Sequence, residues 1–158
     1  MITSPLLLGA ALLLSALSAS PNCDSGWNLF ESSCYTLSAT NAIWSDAEAI
    51  CQQSNAHLVS LHSDEELTFA TSVAAEGKNN PMSYFWMGAY ANMTRAEGLK
   101  AYWTDGSKFD FEKNMMWRDR LGWGATCYAG ALHSSMWMEY ECDAHKLISV
   151  CKKPANGQ

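Results

Sequence analysis

The sequence predicts an α+β domain stapled by disulfides, with two helices ahead of a mostly antiparallel sheet. Three features carry that prediction. Two S-x-x-E segments open helix-like stretches, five short aromatic or aliphatic runs follow, and six cysteines are spread through the chain beyond a charge-free leader. Helix signals that precede strand signals, without βα alternation, indicate an α+β layout with a largely antiparallel sheet.

The leader comes first. Residues 1–20 carry no charged side chain, no aromatic and no cysteine, and Leu6 to Leu14 runs into the small residues Ser15 to Ser20. A short apolar stretch followed by small residues has the form of a secretory signal peptide. It lacks the roughly 20 apolar residues and flanking charges of a membrane span. The expected mature chain is therefore 21–158, a single domain with its core between Cys23 and Cys151. Export places six cysteines in an oxidising compartment, so three disulfides are expected, and spacing alone leaves 15 pairings open.

Ser45-Asp46-Ala47-Glu48 and Ser63-Asp64-Glu65-Glu66 fit the capping box, in which serine caps an amide and glutamate reaches back three residues later. The first predicts a helix from Asp46 to Gln53 that turns Ala47, Ile50, Cys51 and Ser54 to one side. The second predicts Asp64 to Ala75, with Leu67, Ala70, Val73 and Ala74 inward and Gly77 near the end. Between them, Ala56 to Leu61 has extended character. Runs at Tyr84–Tyr90, Ala101–Thr104, Thr126–Ala129, Met136–Tyr140 and Leu147–Cys151 predict strands, with a turn at Asp105-Gly106. The segment from Asp105 to Ala125 has weak periodicity, and a loop of that length in a compact domain is usually functional. With three Val and four Ile in the chain, the core must rest on Trp, Tyr, Phe, Leu and Met.

Composition excludes several functions. Ten basic against 16 acidic residues, a net charge of −6, leave no surplus for a phosphate backbone or an anionic membrane. Hydrophobic residues at 48% exclude a disordered chain. No G-x-S-x-G elbow, P-loop or H-E-x-x-H is present, and oxidised cysteines supply no thiolate, so no enzyme is expected. The histidines at 57, 62, 133 and 145 show no metal-ligand spacing.

The ordered motifs resemble those of the C-type lectin-like domain family. Trp27, Phe30 and Cys34-Tyr35 resemble its opening hairpin. Trp44-Ser45-Asp46-Ala47 with Cys51, then Ala56 to Ser60 and Glu65-Glu66, resemble its helices and the segment between them. Phe85-Trp86-Met87-Gly88 and Trp103-Thr104-Asp105-Gly106-Ser107 resemble its W-I-G and W-T-D-G-S strands, and Cys127, Trp137, Cys142 and Cys151 complete the order. The resemblance implies the pairs Cys23–Cys34, Cys51–Cys151 and Cys127–Cys142. It also implies a secreted, extracellular, non-catalytic recognition protein for a glycan or protein ligand.

Sugar-binding members hold calcium with an E-P-N or Q-P-D triplet, an acid two residues before the third-from-last cysteine, and a W-N-D triplet. Here no such proline triplet follows Trp117, the residue two before Cys127 is Ala125, and the last triplet reads Trp137-Met138-Glu139. Asp119 stands between Arg118 and Arg120. Calcium takes 6–8 oxygens, so no cofactor is expected at the sugar site; a structural calcium elsewhere in the loop stays open. The candidate ligand residues are Trp117, Arg118, Arg120, Trp123 and Glu139. Trp117 is read mainly as packing the loop down, and Trp123, between Gly122 and Gly124, as the exposed contact. The alternatives are a structural or matrix-associated protein and a calcium-dependent lectin with a divergent site. Asn92-Met93-Thr94 is an N-glycosylation sequon, expected in a surface loop.

Overall fold

The computed structural model describes residues 20–77, 83–94, 98–113, 115–116 and 124–157; the leader lies outside them apart from Ser20. Strand β1 (Asn28–Phe30) turns back into β2 (Ser33–Ala42), and helix α1 (Trp44–Gln52) follows. Next come β3 (His57–Leu58), helix α2 (Asp64–Ala75), β4 (Tyr84–Thr94) and β5 (Gly98–Trp103). The chain then supplies β6 (Met115–Met116), β7 (Gly124–Ala131), β8 (Trp137–Tyr140) and β9 (Leu147–Pro154). The fold is α+β, as the sequence predicts.

The nine strands form one sheet in the order β1-β2-β9-β4-β7-β8-β6, with β3 on β9 and β5 on β4. Pairing is antiparallel except for β4 with β9 and β6 with β8. Successive side chains of a strand point to opposite faces, and β4 shows what that does here. Phe85, Met87, Ala89 and Ala91 pack with Leu67, Ala70, Val73 and Ala74 of α2 on one face. Trp86 packs with Ala47 and Cys51 of α1 on the other. Each helix covers its own side.

Gly88 sits where β4 changes partners. Phe85 and Trp86 pair with β9, whereas Ala89 to Thr94 pair with β5. A Cβ at Gly88 would stand 2.6 Å from the Leu58 carbonyl oxygen and 2.7 Å from Thr104 Oγ1. Its N–H donates to the Val59 carbonyl (2.9 Å) and its carbonyl accepts from Thr104 N–H (3.0 Å). The third residue of the F-W-M-G strand after Phe85 is thus a glycine because the Leu58 backbone and the Thr104 side chain occupy the space of a Cβ.

Helix α2 matches its prediction. Ser63 is the N-cap and its Oγ accepts from Glu66 N–H at 3.1 Å. Glu66 reaches back one residue further than the motif expects, to His62 N–H at 2.7 Å. Helix α1 departs from prediction. It starts at Trp44 with Ile43 as N-cap and no side-chain cap, so Ser45 lies inside the first turn. Glu48 turns inward instead of back: its carboxylate accepts from Leu58 N–H (2.8 Å) and Gln52 Nε2 (2.9 Å) and lies 2.6 Å from His57 Nδ1. Trp44 Nε1 donates to the Met87 carbonyl (2.8 Å), which fixes the first helical residue to β4. These tertiary bonds outweigh the local cap. Ser54, expected on the buried side, is exposed just beyond the helix.

Disulfides join Cys23 to Cys34, Cys51 to Cys151 and Cys127 to Cys142. Contacts also lie just outside the span from Cys23 to Cys151. Asn22 pairs with Asn156, and Ala155 is buried.

Candidate functional site

The long loop leaves β5 through the turn that the Asp-Gly pair predicts. Gly106 adopts φ +75°, a left-handed conformation that glycine takes without strain. Asp105 organises the turn. Its Oδ1 accepts from Ser107 N–H (2.9 Å) and Ser107 Oγ (2.6 Å), and its Oδ2 accepts from Ser60 Oγ (2.5 Å). Burial raises the Asp105 carboxyl, but these hydrogen bonds outweigh it and hold the group below the usual carboxylate range. A folded-state pKa below the unfolded one gives stability that is present above the unfolded value and lost as pH falls through the folded one. Asp105→Asn is accordingly expected to cost about 1.5–3 kcal/mol at pH 7, the range for hydrogen bonds to a charged group. Urea unfolding should show that difference shrinking as pH drops below about 4.

The first leg of the loop is then tied down along the start of α2. His62 Nδ1 lies 3.1 Å from Asp110 Oδ1, and its Nε2 lies 3.2 Å from Ser107 Oγ. The His62 contact, ahead of smaller charge effects, holds the exposed Asp110 carboxyl low. Lys113 pairs with Asp64 at 2.6 Å. Phe109 and Phe111 lie against the buried Trp137, and Phe109 also meets Trp103, with ring centroids 5.1–6.4 Å apart. Beneath this leg runs a buried charge network. Lys152 bonds Glu66, and its Nζ also donates to Ser60 O and Oγ at 3.1 Å each. Tyr35 Oη donates to Glu66 Oε1 at 2.5 Å. Burial and the Glu66 charge together push the Tyr35 hydroxyl far up.

The loop's far side is framed by β6, which runs parallel to Trp137 and Met138 of β8, and by β7 from Gly124 onward. Trp117, Arg118, Arg120 and Trp123 fall between those strands in sequence and lie outside the described residues. Glu139 is within them. It pairs across the sheet with Tyr128, whose Oη donates to Glu139 Oε1 at 3.3 Å. Burial raises the Glu139 carboxyl, and the Tyr128 hydrogen bond only partly counters this. A raised carboxyl favours the protonated form in the fold, so its ionisation opposes folding above the usual carboxylate range. Glu139→Gln is expected to stabilise the chain slightly at pH 7, by less than about 1 kcal/mol because water still reaches the site. Thermal melts should show the gain disappearing below about pH 4. Ala125 is exposed on β7 and Met138 is half-buried on β8.

Sequence reasoning missed Glu48, Glu66, Lys152 and His62 as positioning residues for this region. It read both glutamates as local caps, and the one available signal was their place three residues after a serine. It also placed Asn92 in a loop, whereas Asn92 lies in β4, paired with Lys100 of β5 and Ala125 of β7 and exposed. The strand runs past the aromatic segment that signalled it, because β5 and β7 supply partners on both edges.

Comparison with known proteins agrees with this architecture. The family description "Lectin C-type domain" matches residues 40–153. One of the chains of snaclec VP12 from Daboia palaestinae is 33% identical over 139 residues, covering 85% of this chain and 98% of that protein. A calcium-independent type II antifreeze protein superposes with a TM-score of 0.69 at 26% identity, over 87% of this chain and 98% of that one. The cow CD23 carbohydrate-recognition domain, solved with a GlcNAc2Man3 oligosaccharide, gives 0.69 at 25% identity, over 86% and 98%.

Proposed function

The chain belongs to the C-type lectin domain family and is a non-catalytic binding protein, and from that premise we propose a secreted recognition protein whose long loop takes a glycan or extracellular protein ligand without the family's calcium–sugar arrangement. The donor set at β7 and β8 carries this reading. Calcium takes 6–8 oxygens at short range. Ala125 offers no side-chain oxygen, Met138 offers a thioether, and the one carboxylate, Glu139, accepts from Tyr128. Asp119 between two arginines adds a carboxylate in a field that repels cations. These residues do not fit a calcium ion shared with a sugar.

Two solved neighbours are in keeping with this reading. One solved neighbour is described as calcium-independent and another was solved with an oligosaccharide. Secretion is supported by three disulfides, which persist in oxidising compartments, and by the apolar leader. Among the described residues no helix is long and apolar enough to cross a membrane.

The test is a screen of the mature protein over glycans and over secreted or surface proteins, with calcium and with chelator. Binding should be indifferent to chelation, and Trp123→Ala should weaken it by about 30-fold, the effect of losing one interface anchor. Binding that disappears with chelator and returns with calcium would overturn the calcium-free reading. Unchanged affinity in a folded Trp123→Ala protein would remove the loop assignment.

A further inference from the structure

The face of the sheet that carries α1 continues beyond that helix as a line of aromatic rings. Trp44 of α1 lies against Tyr90 of β4, with ring centroids 5.6 Å apart. Tyr90 in turn stacks on Tyr102 of β5 at 5.5 Å and an interplanar angle of 29°. Both sides of Tyr90 are thereby engaged. Tyr102, at the outer end, is 42% exposed, among the most exposed large hydrophobic side chains described. It stands on an edge strand, since among the described residues β5 pairs only with β4.

Asn92 is on that same face. It follows Tyr90 by two residues in β4, and residues two apart in a strand point the same way. Tyr90 pairs with Tyr102 and Asn92 pairs with Lys100, so Tyr102 is the diagonal neighbour of Asn92, about 7–8 Å away between backbones. On its other flank Asn92 meets Ala125, which is exposed and small. Asn92 is thus exposed, with Lys100 directly opposite, the Tyr102 ring on the diagonal and the small Ala125 on the other flank. Asn92-Met93-Thr94 has the acceptor form asparagine, any residue but proline, threonine. Its location in a paired strand is no obstacle, because the glycan is added to the extended chain before the sheet closes.

We propose that Asn92 carries an N-linked glycan whose first sugar lies across the exposed face of Tyr102, so that the chain's own modification covers the aromatic end of this sheet face. A pyranose ring presents a face of C–H groups that packs on the negatively charged face of an aromatic ring. The glycan extends the Trp44–Tyr90–Tyr102 line by one ring and shields the outer edge of β5, a position that otherwise invites pairing with another chain. The proposal rests on the secretory reading, because the modification is made only on exported chains.

The experiment expresses the full-length chain in a secreting eukaryotic cell and analyses the medium. Intact mass before and after peptide-N-glycosidase treatment reads occupancy, and Asn92→Gln serves as the unmodified control. Protein in the medium that loses a glycan's mass supports the first half of the proposal. Protein in the medium with no glycan at Asn92 overturns it while leaving secretion intact. Retention of an uncleaved leader in the cells overturns secretion and the proposal together. The second half is read from melting temperatures of treated and untreated protein. Removal of the glycan should lower Tm by about 2–4 °C in the wild type and by much less in Tyr102→Ala, whose stacking surface is gone. An equal drop in both proteins would mean that the glycan does not lie on Tyr102. Tyr102→Phe keeps the ring and should keep the wild-type drop.

Discussion

Replacing Cys51 and Cys151 together by alanine is expected to lower the unfolding free energy by about 4.7 kcal/mol, the chain-entropy value for a closed loop of about 100 residues. Their separation is 100 residues, against 11 for Cys23–Cys34 and 15 for Cys127–Cys142. The bond ties α1 to β9, near the centre of the sheet order, and both cysteines are buried. The Cys127–Cys142 pair should cost less when removed, about 3 kcal/mol. Equilibrium urea unfolding of the two alanine pairs checks the ranking. A smaller loss for Cys51–Cys151 than for Cys127–Cys142 would show that loop closure is not what this bond contributes. A loss near 5 kcal/mol is a large part of a domain's typical stability, so poor secretion of the variant is expected as well.

The second large effect belongs to Glu66. Its carboxylate receives Lys152, Tyr35 Oη and the His62 N–H, and both charged side chains are nearly buried, at 9% and 13% exposure. Removing one member of a buried pair leaves the other charge without compensation, at a cost of about 3–5 kcal/mol. Glu66→Ala should fall in that range, and Glu66→Gln, which keeps an acceptor, should cost less. A double-mutant cycle with Lys152→Ala gives the coupling, expected at about 1 kcal/mol or more for groups in direct contact. Additive single and double variants would show that the pair is incidental. The same variants should loosen the first leg of the long loop, because Lys152 also holds Ser60, which donates to Asp105. Hydrogen exchange at Ser107 and Phe109 reads that effect separately from global unfolding.

How much of this was legible depended on whether a residue's role was local. Helix α2 was readable to its ends because its cap and its inward positions are set by neighbours within one or two turns. Strands β4, β5, β7, β8 and β9 were readable as aromatic and aliphatic runs, since a core poor in Val and Ile concentrates Trp, Tyr and Phe there, whereas β2 and β6 carry no such run. The start of α1 was not, because Glu48 is held by Leu58 and His57, contacts that local patterning does not encode. The Lys152–Glu66 bond spans 86 positions and left no local trace. Cysteine spacing alone could not select a pairing; the family motifs did. At the site, the absent oxygens of Ala125 and Met138 were plain in the sequence, whereas the engagement of Glu139 by Tyr128 required the register of β7 on β8.

The change of partners at Gly88 divides β4 into two zones that should open independently. The half before Gly88 lies beside β9, which carries the Cys51–Cys151 bond and Lys152. The half beyond it lies between β5 and the start of β7. Excursions there can unzip β5 from β4 without disturbing the half beside β9, so amide protection should form a gradient rather than a plateau. A chain built this way can rework one end of its sheet, in a single encounter or over many generations, while the other end keeps the molecule folded.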